Sequence, residues 1–426
     1  MQLTRRRTRA RSTIAALFAV AAVGGVATAS SRVDAQIVDF NTTHSVYYEK
    51  PSRTKMFVYT PGGNLQVSPT DWLQVRAGWE ADVVSGASIA VKAGPAYQAT
   101  HPAADVISAA SVHDLRNSAR GGFTLKKDIV TLTGGYAYST EHDYRSNSFN
   151  VSARTDTFDK NSQFEIAYAR NFDSVCDRVQ ASDSSNVPTH LRPLEDSTGC
   201  FTSIAGRATR SIAIDSFQGG WTQTWTPTLA TQLIYSAEIQ NGFLSNPYRA
   251  VIIGEGLKAQ EHHPDNRARD AIAARMHLYF RPIKAALRLG VRGYYDTWDI
   301  KSVSTDAEFE KHFTESFRAT VRGRFYKQSG AVFYSDDYTG GDKPLGPRGK
   351  YWSGDREISP FWSWMVGARV IYTIAPQKPL LGIISQLKFS GSADMFVFHY
   401  DQFTLAGDPI QNARAYVATL SATALF

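Results

Sequence analysis

The chain has 426 residues, 43% of them hydrophobic and 12% aromatic, a length that suits two or three soluble domains or one large barrel. Beyond the N-terminus no stretch reaches the roughly eighteen apolar residues of a spanning helix, so any membrane crossing must be made by strands closed into a barrel. Six Arg and one Asp in residues 1–35 carry +5 of the formal +7, leaving about +2 for the rest, and no basic stripe with interleaved aromatics survives. Nucleic acid is not expected as a partner.

Residues 1–35 read as a Sec export signal. Arg5, Arg6, Arg7, Arg9 and Arg11 form a basic start, residues 14–29 an apolar run, and small residues allow cleavage after about Ala29 or Ala35. Gly24 and Gly25 interrupt the run, which is short for an anchor. Residues 36–426 are then expected to form one all-β unit, a single antiparallel up-and-down barrel in the outer membrane of a Gram-negative bacterium.

From residue 37 the dominant period is two. Within 73–83, Leu73, Val75, Ala77, Trp79, Ala81 and Val83 share one face and Gln74, Arg76, Gly78, Glu80 and Asp82 the other. The pattern predicts about 16 strands, at 37–48, 54–66, 72–84, 117–126, 129–140, 147–158, 162–172, 210–225, 229–241, 267–280, 284–298, 302–313, 317–334, 355–372, 383–400 and 413–426. Connections such as Lys127-Asp128 and Thr226-Pro227-Thr228 are short, as periplasmic turns are. Longer ones near 85–116, 173–209, 242–266, 335–354 and 401–412 are assigned outside. Trp72, Tyr136, Tyr138, Trp221, Trp225, Trp298 and Trp352 lie near strand ends and are expected in aromatic girdles.

The last segment places Tyr416, Ala418, Leu420, Ala422, Ala424 and Phe426 on one face. Tyr416, Leu420 and Phe426 resemble the C-terminal signal read by the barrel-assembly machinery. Membrane lipid and that machinery are the expected partners.

Cys176 and Cys200 bracket a polar segment and, in an exported chain, are expected to form a disulfide that stiffens a loop. A near repeat sets Asp82 and Ser85 against Asp105 and Ser108, twenty-three residues on. Together they offer oxygen ligands for calcium, although capping of two similar turns by Asp and Ser is the reading preferred here. No other cofactor is expected.

Arg288 and Arg292, then Asp306, Glu308 and Glu310, then Arg318, Arg322 and Arg324 form facing rows of opposite charge on the expected lumen side. Such rows lock strand register and set a transverse field across a wet pore. His142, His262, His263 and His277 lack a nucleophile partner at informative spacing, so no enzyme activity is expected.

Several stretches together resemble one bacterial outer-membrane family, DUF 3570, whose function is not established. They are DVVSGAS at 82–88 with its echo at 105–111, GFLSNPYRAV at 242–251, EHHPDNRARDA at 261–271, GYYDTWDI at 293–300, RGRFYKQSGAVFY at 322–334 and SGDREIS at 353–359. Ala109 stands in the second copy where the first has Gly86. The resemblance implies an exported barrel and, through its gene neighbourhoods, a partner such as an exported redox protein. The expected function is a porin-like channel for small polar solutes. The alternative is a non-conducting scaffold that docks a redox or surface electron-transfer assembly.

Overall fold

The computed structural model describes residues 37–50, 56–85, 91–92, 105–106, 113–141, 144–178, 207–246, 250–253, 257–336, 350–405, 408–409 and 412–426. They build one closed antiparallel barrel of sixteen strands. In chain order these are β1 (Ile37–Lys50), β2 (Met56–Thr70), β3 (Leu73–Ser85), β4 (His113–Lys127), β5 (Val130–Thr140), β6 (Tyr144–Thr157), β7 (Ser162–Arg178) and β8 (Arg207–Thr226). There follow β9 (Leu229–Gly242), β10 (Asn266–Phe280), β11 (Ala285–Asp296), β12 (Lys301–His312), β13 (Phe317–Gln328), β14 (Phe361–Ile374), β15 (Gln386–Tyr400) and β16 (Asn412–Leu425). Each strand pairs with its neighbour in sequence, and β1 pairs with β16 to close the ring. Closure leaves no unpaired backbone edge, as lipid requires. The expected signal, residues 1–35, lies outside the described residues.

Alternation decides which way each side chain points. On β3, Val75, Trp79 and Val83 are 43–45% exposed on the outside, while Glu80 and Asp82 turn inward to meet Arg116 of β4. Outward positions elsewhere repeat the pattern, with Val151, Ile166, Ile272, Val321 and Leu420 all more than half exposed. At about 25 cal/mol per Å² of apolar surface, such a belt is costly in water and stable in hydrocarbon. The protein is therefore an outer-membrane barrel with a lipid-facing exterior and a polar interior.

One end of the barrel carries the turns 71–72, 128–129, 158–161, 227–228, 281–284 and 313–316, together with the longer 375–385. The opposite end carries the long connections. At the first end Val38 and Phe426 exchange two main-chain hydrogen bonds, seating the C-terminal residue against the first strand.

Three strand ends differ from expectation by six residues: the segment expected as 162–172 runs on to Arg178, so 173–178 belongs to the wall rather than to the outer loop. The segment expected as 317–334 leaves the sheet after Gln328, and the segment expected as 355–372 joins it only at Phe361. Ser329-Gly330 breaks the run 317–334, and Asp355 caps a 3-10 turn, Arg356–Ile358, by accepting from the Glu357 amide at 2.9 Å. Glu357 and Ser359 are thus loop residues rather than wall residues.

Two expected girdle members are also corrected. Trp72, Tyr136, Trp221 and Trp225 do face outward with 36–57% exposure, but Trp298 is 4% exposed and packs with Ile300, Ala331, Phe333 and Ile358. Its indole N–H donates to the Asn266 carbonyl at 3.0 Å, the partner that a buried tryptophan needs. Trp352 sits in the outer loop and bridges to His262.

Candidate functional site in the lumen and outer mouth

The predicted charge rows occupy one inner wall. Register sets Arg288 beside Glu308, Glu308 beside Arg322, and Asp306 beside Arg324. Arg288 hydrogen-bonds Glu308 and lies 3.7 Å from Glu310, and Arg318 also approaches Glu310 at 3.7 Å. The network extends further than the sequence indicated. Arg369 of β14 reaches across β13 to Glu308 at 3.2 Å, and Arg322 makes a two-pronged bond to Asp394 of β15 at 2.7 and 2.5 Å.

Glycines make these long reaches feasible. A Cβ on Gly367 would overlap the Asp394 carboxylate, and one on Gly290 would collide with Asp306. Each carboxylate therefore lies flat over a glycine of the neighbouring strand. Arg292, by contrast, stands over the Tyr294 ring at 5.6 Å.

At the outer mouth the connection between β13 and β14 turns inward as a strap, of which 329–336 and 350–360 are described. Arg356 crosses to the inner face of β1, where both of its terminal nitrogens donate to Glu49, one of them at 3.0 Å. Tyr47 donates to the same carboxylate at 2.8 Å. Burial opposes the charge on Arg356, but the Glu49 hydrogen bonds and the nearby Tyr400 outweigh it and raise its pKa. The strap is held elsewhere too. Glu261 accepts from Ser353 Oγ at 2.8 Å and from the Gly354 amide at 3.1 Å. Gln328 donates to the Glu357 and Ser359 carbonyls, and Tyr334 to the Gln402 carbonyl.

Asp296 organises the floor of the mouth. It has 0% exposure and accepts from Arg267 Nε and Nη2, from Tyr294 OH, and from the amides of Trp298 and Ile300. Arg267 in turn stacks over the Trp298 ring at 4.1 Å.

Among the described residues, the strap is tied to β1 and stands apart from the β6–β8 wall. A cavity of about 540 Å³ separates Glu357 and Ile358 from Tyr144, Val175 and Ile212, and Arg269 lies at its base. Arg269 also lines a second cavity of about 580 Å³, bounded by Arg76, Glu165, Glu238 and Arg292 from well-separated parts of the wall.

The remaining predicted residues are dispersed. Asp82 is paired with Arg116 at 2.6 Å and accepts from Thr60 at 2.6 Å. Ser85 and Asp105 fall at strand ends whose side chains are outside the description, and Ser108 and His142 lie outside the described residues. Among the described residues no group of three or more His, Cys, Asp or Glu is arranged for a metal ion. Cys176 is buried at the outer end of β7, and no free cysteine occurs among the described residues. Cys200 lies outside them. His277 faces the lumen on β10, and His262 packs against Tyr351 and Trp352. Buried His263 binds the Leu244 carbonyl through Nδ1 at 3.0 Å. Tyr416 and Leu420 face lipid on β16.

Sequence reasoning missed Glu49, Asp296, Arg356 and Asp394 as site residues. Asp296 falls within the strand expected at 284–298, and Arg356 within the one expected at 355–372. The available signal was the acid-base cluster Asp355-Arg356-Glu357 at the start of an otherwise apolar run.

Among solved structures, the chain is similar to a bacterial polysaccharide outer membrane secretin, with TM-score 0.47 and 9% identity over 93% of this chain and 100% of that one. It is also similar to OccD3 (OpdP) of Pseudomonas aeruginosa, with TM-score 0.43 and 9% identity over 93% and 92%. A further similarity is to OprD of the same organism, with TM-score 0.43 and 7% identity over 94% and 96%. No curated protein matches the chain. The model of the protein family of unknown function DUF3570 matches residues 10–385, and the chain belongs to that family.

Proposed function

We propose that this barrel is a porin-like channel for small polar solutes, with an outer mouth narrowed on one side by the strap. The observation that carries this reading is Arg269, which lines both the mouth cavity and the deeper one. Its side chain stands between the two spaces, which adjoin there along the β7–β10 wall. Sixteen strands enclose a lumen wide enough for water, and its charged wall supports passage of hydrated solutes. Sec export of a Gram-negative protein, delivery by the barrel-assembly machinery through the Phe426 strand, and a Cys176–Cys200 bridge belong to the same reading.

Purified protein in a planar bilayer tests it. The channel reading expects discrete conductance steps. Repeated insertion without steps would contradict it and favour a non-conducting scaffold.

A further inference from the structure

Among the described residues, one stretch of the lumen wall is aromatic. On β15 the inward positions Phe396, Phe398 and Tyr400 are all aromatic, and their successive rings lie 6.2 and 6.3 Å apart, only 10° and 15° from parallel. Phe361 of β14 stands 6.2 Å from Phe398 and 5.5 Å from Tyr400, and Tyr326 of β13 is 5.5 Å from Phe361. These residues share the face of Asp394, which holds Arg322 inside the barrel, so they are not a lipid girdle. They are not a closed core either. Tyr400 is 7% exposed beneath the strap, but Tyr326, Phe361, Phe396 and Phe398 stay partly open.

Polar groups border these rings. Exposed Arg324 lies in the same row as Phe396, with Met365 between them. The Arg322–Asp394 pair occupies the next row inward. A small ion would use such charges and ignore the rings, and an acyl chain would use the rings and leave the charges facing hydrocarbon. A pyranose uses both, since it has an apolar C–H face for stacking and a rim of hydroxyls that donate and accept.

We propose that Phe396 and Phe398 form a track that binds gluco-oligosaccharides along β15, with exposed Arg324 within reach of the sugar hydroxyls. The proposal rests on the channel reading for access to the lumen, and it names the solute class.

The test uses the detergent-solubilised barrel, titrated by calorimetry with maltotetraose and with cellotetraose. The same sugars are then added to single channels in a bilayer. At least one sugar is expected to bind saturably and to cause brief current blockades. The variant F396L/F398L keeps apolar volume but removes the flat faces, and is expected to weaken binding by about tenfold. F396Y/F398Y keeps the faces and should retain it. Binding of neither sugar to the wild-type barrel overturns the track whatever the conductance, as does equal binding by wild type and the leucine variant. Binding without conductance steps would support the track while overturning the channel.

Discussion

Asp296 has no exposed surface and accepts five hydrogen bonds, two of them from Arg267. Breaking a buried pair by removing one partner costs about 3–5 kcal/mol, since the other charge is left uncompensated. Asp296→Ala should therefore lower the unfolding free energy by about 3 kcal/mol or more, measured by urea titration in lipid vesicles. A change under 1 kcal/mol would show that the mouth does not depend on this carboxylate. Gly367 offers a second test, because Gly367→Val places a side chain where Asp394 now lies. The Arg322–Asp394 bond should break, with a loss of about 2 kcal/mol in the same titration. At this scale the sequence was partly legible. Alternation puts Arg288, Glu308 and Arg322 on one face, and they share one wall of the structure, but Arg369 and Asp394 join them only across intervening strands, and pairwise neighbour reasoning cannot see that. Nor does a glycine letter reveal that a carboxylate lies over it.

Strands were the most legible elements, because a wall with lipid on one face and water on the other writes period two into every segment. The same rule misled where alternation continued past the wall. Ala331 and Phe333 keep the spacing of a strand, yet they pack with Trp298 in the mouth cluster. On β15 the pattern failed in the opposite sense, since Met395 and Val397 face out while Phe396 and Phe398 face in. An aromatic inward face on a pore strand was the available signal for the track. The β7–β8 connection carries a prediction of its own. A Cys176–Cys200 bridge closes a loop of about two dozen residues and is worth roughly 3 kcal/mol in the loop-entropy model. Denatured, unreduced protein should resist thiol alkylation and gain two alkylated sites after reduction. Alkylation before reduction would rule the bridge out.

The whole molecule is a lipid-facing barrel with a strap across part of its mouth, fixed to β1, three strands around the ring from β14. Its period-two segments and closing strand pointed to the barrel. The strap was hidden because its tie, Arg356 to Glu49, joins residues 307 positions apart. No local spacing encodes such a contact. Glu49 is 3% exposed, so either partner alone is costly to leave unpaired, and the two substitutions should be non-additive by about 2 kcal/mol in a double-mutant cycle of stability. The most direct test of the constricted-channel account is single-channel conductance of the wild type beside Arg356→Ala. The account predicts discrete steps from the wild type and larger steps when the strap is released. An absence of steps from both proteins, or steps of the same size, would contradict it.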